Sequence, residues 1–210
     1  MKELIETVRR DLRMSEKRRR HTEGVVETAK LLANRHFPAE ISPEEAELAA
    51  LLHDYTKEYP VEKQLEICRQ YGMEVPAEEL ETPKLLHARS ASLLAEHLYG
   101  APEQICSAVR WHTTGRPAMR PLELVIYLAD YIEPGRTDPA CTRLREYYER
   151  QYQSRRDKTR ALYLALVRSF DTTVRFLLAE KKPIDSCTVE ARNDYLRIVN
   201  REKSHMGKDG

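Results

Sequence analysis

Apolar residues recur along most of this chain at spacings of three and four, the repeat of a helix with one buried face. Leu4, Val8 and Leu12 define a first helix, and Ser15 is placed to cap a second that runs to about His36. No segment has the sustained alternation of apolar and polar residues that half-buried strands need. The pattern therefore predicts an all-α fold.

Caps, prolines and glycines divide the rest of the chain into further helices. Ser42-Pro43-Glu44-Glu45 combines a serine N-cap, a proline at the first helical position and a glutamate for a capping box. We expect later helices to begin near Val61, Pro83, Pro102 and Pro121, with Pro102 at the first helical position. Residues 143–160 should form a charged helical stretch. An amphipathic helix through Leu162 and Leu177 should follow it. Residues 76–82 read as a polar loop.

Domain boundaries are not indicated by any shift in composition. We expect a single domain over residues 1–200 and a polar, frayed C-terminal tail over 201–210.

Several polar residues occupy positions that the helical period assigns to buried stripes. Core stripes rarely carry charge, because burying an unpaired carboxylate is costly. One such residue is normally a hydrogen-bonded core histidine, but five on separate helices indicate a common centre that a metal ion satisfies. These residues are His21, His53, His87, His112 and Asp130, with Asp54 directly after His53.

Lys57 follows Asp54 by one helical turn and lies on roughly the same face. A cation beside a metal site indicates a strongly anionic ligand, and phosphate is the usual one. Arg136, Thr113 and the glycine-containing loop after His112 can donate to phosphate as well. Taken singly, Lys57 and Arg136 read better as solvated charges, but their positions one turn after Asp54 and just past Asp130 favour phosphate contacts. Thr113 could simply cap a helix end, and core packing explains Thr173 as well as ligand binding does. We read Arg18-Arg19-Arg20 first as a solvated helix face, second as a phosphate-side patch next to His21, and last as a nucleic-acid contact.

Composition excludes several classes of protein. The 35 basic and 34 acidic residues nearly cancel, so neither a nucleic acid nor a membrane surface is an expected partner. The apolar fraction of 41% supports a real core, and the four cysteines form no Cys-x-x-Cys pair. No apolar run reaches the length of a signal peptide or a membrane span, and we expect a cytoplasmic protein.

The order His, His-Asp, His, His, Asp resembles the HD superfamily of metal-dependent phosphohydrolases. The blocks from Arg110 to Pro117 and from Val125 to Pro134, with His53-Asp54-Tyr55-Thr56-Lys57 and Arg20-His21-Thr22, look like its YqeK family over about residues 5 to 200. That resemblance implies an all-helical HD domain around a central metal site. It further implies symmetrical cleavage of dinucleoside tetraphosphates, such as diadenosine tetraphosphate, into two nucleoside diphosphates.

The same resemblance implies roles for individual residues. His21, His53, Asp54 and Asp130 would ligate a divalent ion, iron in this family with manganese or cobalt as substitutes, while His87 and His112 would hold a second ion or contact phosphate. Asp54 and His112 are the candidate catalytic residues, Asp54 to orient the attacking water and His112 to protonate or stabilise the leaving oxygen. Substrate contacts are expected from His21, Asp54, Lys57, His87, His112, Thr113, Asp130, Arg136 and Thr173.

Other functions stay open at this point. An HD-type enzyme for another phosphate ester, such as a nucleoside monophosphate or guanosine tetraphosphate, would use the same metal chemistry. A non-catalytic nucleotide sensor is the alternative from a different class. The number of ions, one or two, and assembly as a homodimer are not decided by the sequence.

Overall fold

The computed structural model of the chain describes residues 1–76 and 80–206. Within these ranges it contains ten α-helices and no strand, which confirms the predicted all-α class. The helices are α1 (Lys2–Asp11), α2 (Glu16–His36), α3 (Pro43–Leu52), α4 (Val61–Gln70), α5 (Leu86–His97), α6 (Glu103–Trp111), α7 (Pro121–Ile132), α8 (Pro139–Ser154), α9 (Lys158–Ala179) and α10 (Ser186–Met206). A 3-10 helix, Pro83–Leu85, leads into α5.

Helices α3 and α7 form the centre of the bundle. The segment 48–52 of α3 and the segment 122–129 of α7 are buried at every position, as expected of helices that are covered on all sides. Helix α2 packs against both of them, α6 covers α7, and α9 pairs with α8 and α10. Most buried apolar side chains belong to one connected core.

The predicted start signals operate as expected. The Ser15 side chain accepts the amide of Arg18 at the start of α2. At α3 the Ser42 hydroxyl accepts the amide of Glu45, whose carboxylate accepts the Ser42 amide in return. Each bond satisfies an amide that has no partner within its helix. The N-termini of α2 and α3 can therefore be predicted from local sequence.

Two boundaries differ from the sequence prediction. Pro102 is the N-cap of α6, which begins at Glu103. The charged stretch over 143–160 is not one helix, because α8 ends at Ser154 and α9 begins at Lys158. The Asp157 carboxylate caps α9 by accepting the Arg160 amide at 3.1 Å. An aspartate N-cap can start a new helix without a proline or glycine to mark the break.

The C-terminal helix α10 continues to Met206, six residues into the segment predicted to be frayed. Residues 77–79 of the predicted loop and residues 207–210 lie outside the described ranges. The assignment of residues 1–200 to a single domain stays a prediction. None of the described helices combines the length and the apolar character that crossing a membrane requires.

Candidate metal centre

Four histidines from four helices meet at one point in the structure. His53 caps the C-terminus of α3 and His112 that of α6, His87 is the second residue of α5, and His21 lies inside α2. His53, His87 and His112 are at most 1% exposed. We call these four residues the histidine cluster.

In every member of the histidine cluster the Nδ1 atom faces an oxygen. Three of these oxygens are the backbone carbonyl three residues earlier in the chain. Since an oxygen without a proton can only accept, each Nδ1 donates and each neutral Nε2 is left with a lone pair. The Nδ1–oxygen distances are 3.1 Å for His21 to Glu133 Oε1, 2.6 Å for His53 to Ala50, 2.6 Å for His87 to Lys84 and 2.7 Å for His112 to Val109.

Two carboxylates lie close to the Nε2 atoms of His21 and His53. Asp130 Oδ1 lies 2.9 Å from His21 Nε2 and 3.8 Å from His53 Nε2. Asp54 Oδ2 lies 3.4 Å from His53 Nε2 and 3.7 Å from His21 Nε2. Neither Nε2 atom has a hydrogen-bond partner, although both are buried. The ligand atoms of His21, His53 and Asp130 all lie within 4.8 Å of one another, as a divalent cation requires, and Asp54 Oδ2 adjoins both histidines.

A second group of acceptors adjoins the first. The Nε2 atoms of His87 and His112 lie 3.0 Å apart, and Asp54 Oδ1 lies 3.1 Å from the first and 3.6 Å from the second. Lone pairs at such distances repel unless a cation lies between them. Ligand atoms of His53, Asp54 and His112 all fall within 4.8 Å of one another. Two ions sharing Asp54 would satisfy both groups.

Burial and charge set the protonation of these groups. Burial raises the pKa of Asp54, but the surrounding histidines, His53 foremost, outweigh it and hold that pKa well below its usual range. Burial lowers the pKa of His87 to about 4 and also lowers the pKa of His112. At neutral pH Asp54 is therefore ionised while the imidazoles of His87 and His112 are neutral, the forms that bind metal.

A cavity of about 620 Å³ opens above the centre. Its volume is within the range of small-molecule sites, about 300–1,000 Å³. Five sequence-predicted contacts line it, namely Lys57, Thr113, Asp130, Arg136 and Thr173, whereas the remaining predicted contacts do not. The lining also includes residues that the sequence did not single out, among them Tyr131, Cys141, Thr172, Phe176, Leu177 and Lys182.

The cations of the cavity adjoin the carboxylates of the centre. Arg136 donates from Nη2 to Asp130 Oδ1 at 2.5 Å and from Nε to the Asp130 carbonyl. Lys57 Nζ lies 3.1 Å from His87 Nε2 and 3.9 Å from Asp54 Oδ1. Thr173 Oγ1 lies 2.9 Å from the Tyr131 hydroxyl, which fixes its position on the cavity wall. Positive charge therefore stands next to the proposed ligands on the side open to solvent.

Two residues at the centre are not among the predicted site residues. Arg18 is not a solvated charge, because its guanidinium contacts Asp54 Oδ2 and its Nε is buried without a partner. Glu133 is 1% exposed and faces His21. Each lies three residues from a predicted ligand, Arg18 before His21 and Glu133 after Asp130. That spacing on the same helical stripe was the available signal.

Comparison with known proteins decides the family. The sequence pattern of the HD domain matches residues 18–135, which include every residue of the histidine cluster and both carboxylates. The chain belongs to the HD-domain family. Hydrolases with an HD domain are metal-dependent, in agreement with the His/Asp cluster described above.

Two relatives of this HD-domain chain are named for a particular activity, which is more specific than the domain family. Two proteins named symmetrical bis(5'-nucleosyl)-tetraphosphatase are similar to it. The one from Bacillus subtilis is 39% identical over 81% of this chain and 85% of its own. The one from Halalkalibacterium halodurans is 34% identical over 87% and 91%. These matches confirm the resemblance to YqeK-type HD hydrolases.

A solved structure shares the fold of this HD-domain chain. It is the crystal structure of a predicted HD superfamily hydrolase involved in NAD metabolism from Clostridium acetobutylicum. The two chains align with a TM-score of 0.79 and 36% identity over 93% of this chain and 96% of the other. The predicted helical HD bundle is therefore confirmed.

Proposed function

We propose that this HD-domain chain hydrolyses dinucleoside tetraphosphates, such as diadenosine tetraphosphate, symmetrically into two nucleoside diphosphates. The observation that carries the proposal is the convergence of four Nε2 lone pairs and two carboxylates beneath a cavity lined by Lys57 and Arg136. The names of the Bacillus subtilis and Halalkalibacterium halodurans relatives support the substrate class.

The ligand assignment follows the two groups of acceptors. His21, His53, Asp54 and Asp130 would hold the first ion. His87 and His112, with Asp54 shared between the ions, would hold a second, because their facing lone pairs need a cation. Iron is the proposed native metal, with manganese or cobalt as substitutes, since imidazole and carboxylate ligands suit all three.

Phosphate binding is assigned to the cavity. The Lys57 ammonium and the Arg136 guanidinium can hold phosphate oxygens next to the ligands, and Thr113 and Thr173 can donate from their hydroxyls. His21, Asp54, His87 and His112 do not line the cavity, so we propose that they act on the phosphate nearest the ions rather than along the whole chain of phosphates.

The reaction adds water to one of the two central phosphorus atoms and breaks the bridging bond between them. A divalent ion held by His21, His53, Asp54 and Asp130 would polarise a phosphoryl oxygen and lower the pKa of a bound water. The ionised Asp54 carboxylate can accept a hydrogen bond from the attacking water and orient it. Lys57 and Arg136 offset the negative charge that builds up on the phosphate oxygens.

His112 has a narrower role than the sequence left open. It is fully buried and its pKa is lowered, so its neutral imidazole has no proton from Nε2 to give to a leaving group. A departing nucleoside diphosphate is a weak base, because the second pKa of a terminal phosphate is about 6. It therefore leaves without a general acid, and we propose His112 as a metal ligand.

Product analysis tests the proposal. Protein purified without oxygen is given diadenosine tetraphosphate, with and without EDTA, and the nucleotides are separated. ADP as sole product, lost with EDTA and restored by added metal, is the expected result. AMP with ATP would overturn the symmetrical cut. No turnover by metal-loaded protein would overturn the activity in favour of a smaller phosphate ester or a nucleotide sensor.

Two expectations on cellular context also stand as proposals. We propose a homodimer, which light scattering of the purified protein would test. We further propose a cytoplasmic location, where nucleotides of this kind are available, and cell fractionation would test it.

A further inference from the structure

His21 differs from the rest of the histidine cluster in the group that holds its Nδ1. The other three histidines donate to a backbone carbonyl three residues earlier, at or beside a helix end. His21 lies in the second turn of the 21-residue helix α2, where carbonyl oxygens already accept the amides of the helix. It therefore needs a side-chain partner, and Glu133 Oε1 lies 3.1 Å from its Nδ1.

Glu133 is built into the fold for this contact. It directly follows α7, is 1% exposed and accepts the amide of Gly135 with Oε2. A Cβ on Gly24 of α2 would lie 2.4 Å from Oε2, and a Cβ on Gly135 would lie 2.9 Å from it. Any side chain at Gly24 would therefore displace the carboxylate from α2, and with it from His21.

A carboxylate acts on an imidazole differently from a carbonyl. As a charged acceptor it fixes the proton on Nδ1 more strongly and makes the opposite nitrogen a better ligand. In this structure that opposite nitrogen, His21 Nε2, is buried without a hydrogen-bond partner and lies 2.9 Å from Asp130 Oδ1.

We propose that Glu133 is the positioning residue for His21: its carboxylate sets the tautomer and the direction of the imidazole, so that Nε2 is presented to the ion. The inference rests on the metal centre proposed above and is independent of the substrate. It also assigns Gly24 a role, because only glycine lets the Glu133 carboxylate reach His21 across α2.

Glu133→Gln tests this in the full-length protein stripped of metal and titrated with Co²⁺, whose visible spectrum reports both affinity and ligand set. Glutamine has one oxygen and one NH₂ where glutamate has two oxygens. If its oxygen accepts the Gly135 amide, its NH₂ faces His21 Nδ1 and favours the tautomer with the proton on Nε2. We expect Co²⁺ affinity to fall about 10- to 100-fold and the spectrum of the bound ion to change.

Gly24→Ala provides a second test that leaves the carboxylate in place. We expect the same direction of change in Co²⁺ affinity, because the new methyl group displaces Glu133 rather than removing its charge.

Glu123→Gln is the matched control. Glu123 is also 1% exposed, but it pairs with Arg116 at 2.8 Å and accepts a hydrogen bond from Ser107, away from the histidine cluster. This substitution should lower the melting temperature of the metal-free protein and leave Co²⁺ affinity at the wild-type value.

The outcomes separate the possible roles of Glu133. Wild-type Co²⁺ affinity in Glu133→Gln, with or without a loss of melting temperature, would overturn the proposal and leave Glu133 a purely structural residue. A wild-type protein that binds no Co²⁺ would overturn it together with the metal centre. Tight Co²⁺ binding without hydrolysis of diadenosine tetraphosphate would refute the proposed activity and leave the role of Glu133 intact.

Discussion

The structure buries histidine in two different settings, the histidine cluster and the interface between α2 and α8 at His36. Both contain a buried imidazole nitrogen without a hydrogen-bond partner, Nδ1 in His36 and Nε2 in His21 and His53. In the cluster these nitrogens converge with two carboxylates. At the interface His36 Nε2 lies 2.8 Å from the Tyr148 hydroxyl. Among the described residues, His36 belongs to no group of ligand atoms close enough together to hold a metal ion.

The charged neighbours of His36 contact each other and an aromatic ring. At the α2–α8 interface Arg35 pairs with Glu149 at 2.7 Å and lies 4.4 Å from the centre of the Tyr152 ring. Burial, with help from the positive charge of Arg35, lowers the pKa of His36 to about 4. A buried imidazole nitrogen without a partner is therefore not a metal site by itself. A metal site requires several acceptor atoms that converge, as they do in the histidine cluster.

The largest expected effect comes from breaking that convergence. Asp130→Ala removes an oxygen that lies near both His21 and His53, and His53→Ala removes one of the two unpartnered nitrogens. We expect either variant to lose bound metal and to lower kcat/KM for diadenosine tetraphosphate by about 1,000-fold or more. Metal analysis and ADP release measure the two effects. Full activity in Asp130→Ala would show that the site is misassigned.

A smaller effect is expected where the cluster meets the cavity. Lys57→Ala removes an ammonium that lines the cavity and lies 3.1 Å from His87 Nε2, but it leaves every proposed ligand side chain in place. Losing a charge-assisted hydrogen bond costs about 1.5–3 kcal/mol, so we expect KM to rise about 10- to 100-fold. The metal content should stay at the wild-type level, as measured on the same preparation. A variant that loses metal would show that Lys57 supports the metal centre rather than the substrate.

The contrast between the regions also explains what the sequence could predict. A capping box such as Ser42–Glu45 is local, so α3 was placed correctly from four residues. The histidine cluster was found because polar side chains interrupt apolar stripes, which is again a local signal. That signal identifies candidates but cannot say which atoms converge.

What escaped prediction depends on partners that are distant in the chain. Glu133 reaches His21 across 112 positions, and Arg18 reaches Asp54 across 36. A charged residue beside a ligand reads as a surface residue until the fold supplies its partner. The break before α9 escaped for a different reason, since the Asp157 cap resembles any other aspartate in a charged stretch.

A substitution at Arg18 should have the next largest effect on KM, after Lys57→Ala. Its guanidinium contacts Asp54 from outside the lining of the cavity, whereas Lys57 and Arg136 lie within it. A symmetrical substrate has phosphates on both sides of the bond that breaks. We expect Arg18→Gln to raise KM for diadenosine tetraphosphate about 10-fold.

ADP should bind in the cavity, so its inhibition constant is the control for Arg18→Gln. That constant should stay at the wild-type value in this variant and rise in Lys57→Ala. Equal weakening of ADP and of the dinucleotide would place Arg18 in the same half-site as Lys57.

The smallest effect is expected at His36, outside the cluster. Because its pKa is about 4 in the folded protein against an ordinary 6.5, the unfolded chain binds more protons between these values. The folded state therefore loses stability as pH falls from 6.5 to 4. His36→Gln removes this titration, so its melting temperature should drop less than that of wild type between pH 7 and 4.5. Its metal content and activity should match wild type, and loss of metal would erase the distinction between the two settings.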